Sequence, residues 1–420
     1  MWRRLMVVDV NLDDVFSEVE GLMGEMVQTL MELVRVPAIA PENGGEGELK
    51  KAEVLMRVIE ATGFDRIERY DAKDGRVPSG VRPNIVTYCY GENLERKLWI
   101  VTHMDVVPPG DSSLWTVTRP FEPMVKDGKV YGRGSEDNGQ ALVASIFAVK
   151  ALRSLGVKPK RTIALAFVAD EEQGSRYGIQ YLIDKGLFGK EDLVVVPDHG
   201  NEEGSFIEVA EKGTLWLRVR TRGKQVHAST PERGLNAHRV GMRYALAVDK
   251  LLHERYSKRN EIFEPSGSTF EPTKKEGNVD AVNIIPGEDV FYFDCRVLPE
   301  YSLDDVLSDV RGLAERFEEE SGAEIIVETL IKSEAPDPTP VDSEVVSLLR
   351  EAIKKCRGIE PEVGGIGGRT CAAHFRRAGI PAVVWSTIDE TAHQPNEYAR
   401  IENLVGDSKV FALLSLLTRR

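Results

Sequence analysis

The segment FVADEEQGS, residues 167–175, places the carboxylates of Asp170, Glu171 and Glu172 directly after an apolar run. Three adjacent negative charges repel one another and resist burial. A solvated loop explains them simply. A cation site explains them too, because a bound cation stabilises carboxylates in their ionised form. The choice depends on which other polar residues reach the same place.

A second chemical pattern is THMDVVPPGD, in which His103 and Asp105 are two residues apart after the apolar run KLWIV. In a strand, both side chains would face the same side. One of them can ligate a metal while the other orients the imidazole through a hydrogen bond. A pattern this short also occurs at ordinary polar strand ends.

Three more stretches supply polar groups of the same kind. The glycine-rich turn YGRGSEDNGQ presents Glu136 and Asp137 just before a predicted helix. It lacks the GKS or GKT ending of a phosphate-binding loop, and its acids would repel a phosphate, so a cation suits it better. VVVPDHGNEEG contributes Asp198 and His199, and DETAHQPNEYARIENL contributes His393. A lone histidine in such a loop is also common as a simple hydrogen-bonded residue.

Alternating strands and helices must position these residues. Apolar residues at helical spacing mark VFSEVEGLMGEMVQTLMELVRV and GQALVASIFAVKALRSLG, and short apolar runs mark the strands KLWIVTH, RTIALAFVAD and DLVVVPD. This order predicts an α/β fold with a mostly parallel sheet wrapped by helices. Ligands of such sheets bind at the carboxyl ends of the strands. We therefore expect the five polar stretches to converge on one edge of the sheet.

From about residue 214 the pattern changes to strand, helix, strand, strand, helix, strand, with the strands at LWLRVRTRG, AVNIIPG, VFYFDCRVLP and AEIIVETLIKS. That order predicts a ferredoxin-like α+β unit. After the proline-rich SEAPDPTPVD the first pattern returns. The prediction is a catalytic domain in two parts, residues 1–213 and 334–420, interrupted by a lid domain at residues 214–333.

Composition excludes several classes of function. The chain has 54 Lys and Arg against 68 Asp and Glu, a net charge of -14, which is the wrong sign for binding a nucleic acid backbone. The apolar part of MWRRLMVVDVNLDD meets Asp9 too soon for a secretory signal, and no later stretch is apolar enough to span a membrane. The four cysteines are far apart and favour neither disulfides nor a thiolate zinc cluster. We expect a cytoplasmic protein without nucleic acid or membrane partners.

The five polar stretches, in this order, resemble the M20 family of metallopeptidases and deacylases, which includes acetylornithine deacetylase, succinyl-diaminopimelate desuccinylase and dipeptidases. The resemblance covers nearly the whole chain. It implies a catalytic domain of the zinc-exopeptidase type with an inserted lid that mediates dimerisation. It also implies a two-metal site, with Asp137 as the bridging ligand, His103 and Asp198 completing one ligand set, and Glu172 and His393 completing the other.

The same resemblance assigns two further roles near the metals. Glu171 matches the family's general base, and Asp105 matches the residue that clamps the His103 ring. The implied cofactor is two divalent ions per subunit, for which Zn²⁺ best suits mixed imidazole and carboxylate ligands and Co²⁺ or Mn²⁺ is also accommodated. The resemblance further implies a cis peptide bond between Asp137 and Asn138.

The predicted lid contributes residues only through the resemblance. His227, in GKQVHASTPERGLNA, matches a lid histidine that reaches the neighbouring subunit's site, and Asn283, in VNIIPG, matches a lid asparagine nearby. A functional homodimer is therefore implied. Gly368 and Thr370, in GGIGGRTCA, match a substrate-binding loop. Arg296, in FDCRV, could pair with a substrate carboxylate, or equally be a salt-bridged strand residue.

The sequence departs from the family pattern in three respects. Asn138 and Gly139 stand where many members have a lysine shortly after the bridging aspartate. Arg369 occupies a place where small residues are usual. Asp198 resembles the dipeptidase and aminopeptidase branch, since deacetylases and carboxypeptidases more often have glutamate there.

The expected function is a binuclear metal-dependent hydrolase that cleaves the amide bond of a small N-acyl amino acid. The alternative is a metal-dependent dipeptidase or exopeptidase with the same site. A third reading, a binding module without turnover, would have no need of the general base Glu171 beside a ligand.

Overall fold

The computed structural model describes residues 11–418 of the 420-residue chain, and these form two compact units. The large unit comprises the described residues up to Val209, Thr339–Val363 and the residues from Thr370 onwards. The inserted unit comprises Ala210–Pro338 with Gly364–Arg369. The N-terminal residues on which the expectation about a secretory signal partly depends lie outside the described range. Between residues 11 and 418, none of the helices has the length and apolar character needed to cross a bilayer.

The predicted strands KLWIVTH, RTIALAFVAD and DLVVVPD are present, whereas the stretch at 15–36 with helical spacing is divided at Leu22 into two helices. The helices are α1 Leu12–Gly21, α2 Met23–Val34, α3 Leu49–Thr62, α4 Ala141–Ser154, α5 Ile179–Asp184, α6 Ala237–Arg255, α7 Leu303–Ser321, α8 Glu344–Arg357, α9 Ala372–Arg377 and α10 Ile401–Leu417. The strands are β1 Arg66–Lys73, β2 Val81–Cys89, β3 Asn93–His103, β4 Met124–Lys126, β5 Lys129–Tyr131, β6 Arg161–Val168, β7 Leu193–Asn201, β8 Phe206–Glu211, β9 Gly213–Arg222, β10 Val226–His227, β11 Thr269–Lys275, β12 Ile284–Ile285, β13 Glu288–Val297, β14 Glu324–Ser333, β15 Glu362–Ile366, β16 Ala382–Thr387 and β17 Tyr398–Arg400.

A mixed sheet of eight strands organises the large unit, in the order β1-β2-β6-β3-β7-β16-β8-β15. The central strands β6, β3, β7 and β16 are parallel, whereas β1, β2 and β8 pair antiparallel with their neighbours. Every residue of β6 is buried, as is typical of a parallel strand covered on both faces. The predicted α/β class is confirmed. His103 ends β3, the acids Asp170–Glu172 follow β6, and Asp198 lies near the end of β7. The turn that carries Asp137 instead follows β5, which belongs to a separate sheet of three strands.

A buried ionic network lies beneath these strand ends. The Arg82 guanidinium is fully buried and donates to both carboxylate oxygens of the equally buried Glu48, at 2.6 Å from Nε to Oε2 and at a shorter distance from Nη2 to Oε1. Its Nη1 atom lies 3.2 Å from Oδ1 of Asp170 and 3.5 Å from Oδ2 of Asp74. Buried charges persist only when they are paired in this way. The network fixes Asp170, the first of the three adjacent acids Asp170, Glu171 and Glu172, which we call the DEE run.

The inserted unit has a four-stranded antiparallel sheet in the order β11-β13-β9-β14. Its strand order is that of the predicted ferredoxin-like unit. The helices α6 and α7 share an apolar core with this sheet. Within that core the hydroxyl of the buried Tyr244, on α6, donates to the carbonyl of Val310, on α7, at 2.6 Å.

One predicted strand of this unit was wrong. The stretch AVNIIPG contributes only the two residues of β12, which pair with β10. The fourth strand of the sheet is β11, whose residues from Glu271 onwards are exposed. It contains Pro272 and a register shift before Lys274, so it carries no apolar run and sequence periodicity could not reveal it.

Candidate metal centre

His103 ends β3 and is fixed by its own neighbours. Its side chain is buried, and Nδ1 lies 3.0 Å from the carbonyl oxygen of Asp105 and 3.6 Å from the Asp105 carboxylate. Because a carbonyl oxygen only accepts, Nδ1 carries the proton and Nε2 is turned toward the site. Nε2 lies 2.9 Å from Oδ1 of Asp137 and 3.1 Å from Oδ1 of Asp198.

Asp137 lies between the two predicted ligand sets. Its Oδ1 faces His103, while its Oδ2 lies 3.0 Å from Nε2 of His393. The same His393 nitrogen lies 3.2 Å from Oε1 of Glu172. The first ligand group is therefore His103, Asp137 and Asp198, the second is Asp137, Glu172 and His393, and in each group the candidate ligand atoms lie within 4.8 Å of one another. Each oxygen of the shared carboxylate faces one of the two candidate groups.

Three carboxylates and two imidazoles lie together in this cluster. Burial alone would raise the pKa of Asp137, but its hydrogen bonds with His103 and His393 hold that pKa below its usual range. Burial raises the pKa of Glu172 to about 7. Hydrogen bonds to Asp137 and Glu172 raise the pKa of His393 to about 10. The mixed nitrogen and oxygen donors of the two groups fit divalent ions such as Zn²⁺, Co²⁺ or Mn²⁺.

The three acids of the DEE run point in different directions. Asp170 has a left-handed backbone, with φ of 65°, and its Oδ2 accepts from the backbone N–H of Tyr177 at 3.0 Å. Its other oxygen faces Arg82 in the buried network. Glu172 joins the second ligand group, whereas Glu171 belongs to neither. A solvated loop therefore does not explain these residues, since each acid has a separate environment.

Asp105 holds the two glutamates in place. It is fully buried, and its Oδ1 and Oδ2 atoms accept from the backbone N–H groups of Glu171 and Glu172, each at 3.0 Å. The contact that orients His103 thus comes chiefly from the Asp105 carbonyl oxygen. The Asp105 carboxylate mainly sets the turn that carries the acids. Burial, together with the charge of Asp198, raises the pKa of Glu171 well above its usual value.

Sequence reasoning missed a supporting role for Asn138. This residue is buried, and its amide donates to Oδ1 of Asp198 at 3.0 Å and to the carbonyl of Pro197 at 2.7 Å. The Asp137–Asn138 peptide bond is cis, as expected. No motif could have revealed the contact with Asp198, because it joins residues sixty positions apart in the sequence. His199 is in neither ligand group, and burial lowers its pKa.

Two predicted lid residues are neighbours in the inserted unit. His227 is exposed on β10, and its Nδ1 lies 2.7 Å from the hydroxyl of Ser229. The carbonyl of Asn283, which precedes β12, accepts from the backbone N–H of Ala228 at 2.9 Å. The pairing of β10 with β12 therefore brings His227 and Asn283 to the same end of this short ribbon.

The residues predicted to bind the substrate lie on β13 and in the glycine-rich segment before α9. Arg296, on β13, forms two contacts with Asp294, at 2.7 and 3.1 Å, and donates to the carbonyl of Gly367 at 3.1 Å. It is thus a salt-bridged strand residue, one of the two expected alternatives. Gly368 follows in the inserted unit, and Thr370 belongs to the large unit, where its hydroxyl accepts from the backbone of the helix α9. The Arg369 guanidinium contacts the hydroxyl of Ser333 at 3.2 Å.

Comparison with known proteins bears on this arrangement. The family model for peptidase family M20/M25/M40 matches residues 99–416. The chain belongs to this family. Its members are metallohydrolases that act on amide bonds, and this chain is an enzyme of that class. The resemblance inferred from the five polar stretches is confirmed.

Individual M20 relatives match along almost their whole length. An uncharacterised metallohydrolase of Methanocaldococcus jannaschii is 40% identical over 406 residues, which cover 93% of this chain and 98% of the relative. A succinyl-diaminopimelate desuccinylase of Nitratiruptor is 27% identical over 380 residues, covering 89% and 94%. The structure of human carnosine dipeptidase 1 is similar with a TM-score of 0.76 at 21% identity, covering 96% of this chain and 98% of the other. At that identity, the structural likeness supports the fold.

Proposed function

We propose that this M20 enzyme is a binuclear amidohydrolase that releases the amine from a small N-acyl amino acid, in the manner of a deacetylase or desuccinylase. The position of Asp137 carries the proposal, because its two oxygens face different ligand groups. His103 and Asp198 would hold one divalent cation, and Glu172 and His393 the other. Zn²⁺ suits these donors best, and Co²⁺ or Mn²⁺ would also be accommodated.

The residues around the site divide the proton transfers between them. Divalent cations, when bound, lower the pKa of water from about 15.7 toward 7 and polarise a carbonyl oxygen. Glu171 would accept a proton from the water that attacks the amide carbon, and return it to the leaving nitrogen. Its carboxylate is available for this because it lies outside both ligand groups. Asp105 keeps it in place by accepting its backbone N–H. The products are a carboxylic acid and an amine.

The inserted unit would complete the site in a homodimer. We propose that His227 of a second copy of the chain donates to the oxygen on which negative charge develops, with Asn283 beside it. The backbone hydrogen bond between Ala228 and Asn283 supports the idea that these two residues act together. Gly368 and Thr370 would bind the substrate backbone. Arg296 would bind a substrate carboxylate only by sharing its guanidinium with Asp294.

A specific observation favours a second candidate, a metal-dependent dipeptidase. Asp198 stands where the deacetylase branch more often has glutamate, and a human carnosine dipeptidase has a similar fold. A dipeptide is itself an amino acid acylated at nitrogen, so the same proton transfers serve both substrates. The two candidates differ in the acyl group that the enzyme must accept. A deacylase accepts a neutral or acidic acyl chain, whereas a dipeptidase accepts a cationic aminoacyl group.

The test is a substrate panel with defined metals. The chain is freed of metal with a chelator, reloaded with Zn²⁺, Co²⁺ or Mn²⁺, and given N-acetyl amino acids, N-succinyl amino acids and dipeptides. Release of free amine is measured against the metal-free chain. We expect metal-dependent turnover of an N-acyl amino acid with two bound ions per chain. Faster turnover of dipeptides would favour the second candidate, and no release from any substrate by the doubly loaded chain would contradict both.

A further inference from the structure

We propose that two acids outside the ligand groups, Glu136 and Glu397, form a reciprocal clamp that positions Asp137 and His393 and thereby sets the affinity for the second metal ion. The inference rests on the proposed two-metal function. Each acid lies beside one of these ligands in the sequence, yet holds the loop that carries the other. Sequence reasoning singled out Glu136 only as one of two acids in a turn suited to a cation, and it assigned no role to Glu397.

Glu136 holds the loop that leads to His393. The Glu136 side chain is buried, and its Oε1 accepts from the backbone N–H of Asp389 at 2.7 Å. Its Oε2 accepts from the backbone N–H and the hydroxyl of Thr391, at 2.5 and 2.9 Å, and from the backbone N–H of Ala392 at 2.9 Å. Four donors from the residues just before His393 therefore converge on one carboxylate.

Glu397 holds the loop that carries Asp137. It is fully buried, and its Oε1 accepts from the backbone N–H groups of Gly134, Glu136 and Asp137, at 3.0, 3.0 and 3.1 Å. Its Oε2 pairs with the buried Arg133 guanidinium at 2.5 Å. The loop thus wraps around a carboxylate that comes from beyond His393. The two loops hold one another through these crossed contacts.

His393 needs this support because packing does not fix it. Its side chain is 54% exposed, and its backbone is left-handed, with φ of 63°. Glu390 and Asn396, in the same loop, have φ of 56° and 59°. Left-handed backbone is unfavourable for residues other than glycine and persists only where the surroundings impose it. The hydrogen bonds to Glu136 fix the backbone on both sides of Glu390 and directly before His393.

The two acids should act differently on the two metal ions. Glu136 supports His393, which belongs only to the second ligand group. The first group has separate supports, the Asp105 carbonyl behind His103 and the Asn138 amide on Asp198. Loss of the Glu136 carboxylate should therefore lower the affinity for the second metal ion and leave the affinity for the first unchanged. Loss of the Glu397 carboxylate should lower the affinity for both metal ions, because Asp137 belongs to both ligand groups.

The decisive experiment is a titration of the metal-free full chain with Co²⁺, followed by calorimetry and by the visible absorbance of the bound ion. Glu136→Gln keeps the side-chain volume but leaves one acceptor oxygen for four donors. We expect the first equivalent to bind as in the wild type and the second about 10- to 100-fold more weakly, the usual effect of losing a partner that orients a ligand. Turnover should recover as Co²⁺ is raised. Wild-type affinity for both equivalents in Glu136→Gln would overturn the inference.

Matched variants separate positioning from charge and folding. Glu402→Gln removes the same charge from an acid that is 74% exposed on α10, and should leave both affinities unchanged. Thr391→Val removes the hydroxyl that contacts Glu136 and the backbone of Tyr398, keeps the Glu136 carboxylate, and serves if Glu136→Gln does not fold. A few-fold weaker second equivalent in Thr391→Val supports the clamp, and an unchanged one overturns it. A wild-type chain that binds fewer than two equivalents would overturn the proposed function itself, which this titration reveals before any variant is measured.

Discussion

Replacement of Glu171 by glutamine tests the assignment of the general base. The substitution keeps the shape of the side chain and its backbone hydrogen bond to Asp105, but the amide can neither accept nor return a proton. Glu171 lies outside both ligand groups, so both metal ions should be retained. The adjacent Glu172 is the matched control, because Glu172→Gln removes a ligand and should lower metal content instead.

The expected size of the Glu171→Gln effect follows from its role. A positioned acid or base contributes about 10²- to 10⁴-fold to a rate, which corresponds to about 2.7–5.4 kcal/mol at 1.36 kcal/mol per tenfold. We expect kcat to fall by that factor with KM changed little, since the substrate contacts remain. The assay measures amine release by enzyme loaded with two equivalents of metal, and elemental analysis of the same samples gives the metal content. Wild-type kcat in Glu171→Gln would refute the assignment, and loss of metal in that variant would show that Glu171 is a ligand.

Three other perturbations have defined outcomes. Treatment with a chelator should abolish amide hydrolysis and lower Tm. The fall in Tm is expected because a metal at 100 times its Kd stabilises the fold by about 2.7 kcal/mol. An unchanged Tm in calorimetry would contradict a metal held by the folded chain. Arg82→Met leaves the buried Glu48 carboxylate without the guanidinium that pairs with it. The free energy of unfolding, measured by urea titration, should fall by about 3–5 kcal/mol. A loss below about 1 kcal/mol would show that the buried ionic network is dispensable. His227→Ala should lower kcat far more than metal content. Mixed dimers of His227→Ala with Glu171→Gln chains should regain activity, and confirmed mixed dimers without activity would argue against a histidine supplied by the second subunit.

Much of the site could be anticipated from where the strands end. His103 and the DEE run directly follow apolar runs that the structure shows to be adjacent parallel strands. Asp198 lies near the end of β7, the other parallel neighbour of β3. Parallel strands that neighbour one another must end at a common edge, so period and strand order bring these residues together.

The supporting contacts could not be predicted in the same way. Glu136 was recognised as an acid in a turn, but the direction of a side chain in an irregular turn has no periodicity from which it could be read. Glu397 lies in a stretch whose polar residues look like those of any loop. Its hydrogen bonds reach residues more than 250 positions earlier in the sequence, a distance over which sequence patterns carry no information. The exposed strand β11 escaped prediction for the related reason that it has no apolar face to reveal it.

The chain order of the ligands has a consequence for biosynthesis. His103, Asp137 and Asp198 precede the inserted unit, whereas His393 and its support Glu397 follow it. Under the proposed two-metal function, the candidate ligands of one ion are therefore all made before the inserted unit, whereas His393 and the Glu397 support for the shared Asp137 are made only when the chain returns to the large unit. Under that proposal, an incomplete polypeptide would lack part of the hydrolytic site, and only the finished chain could hold both cations.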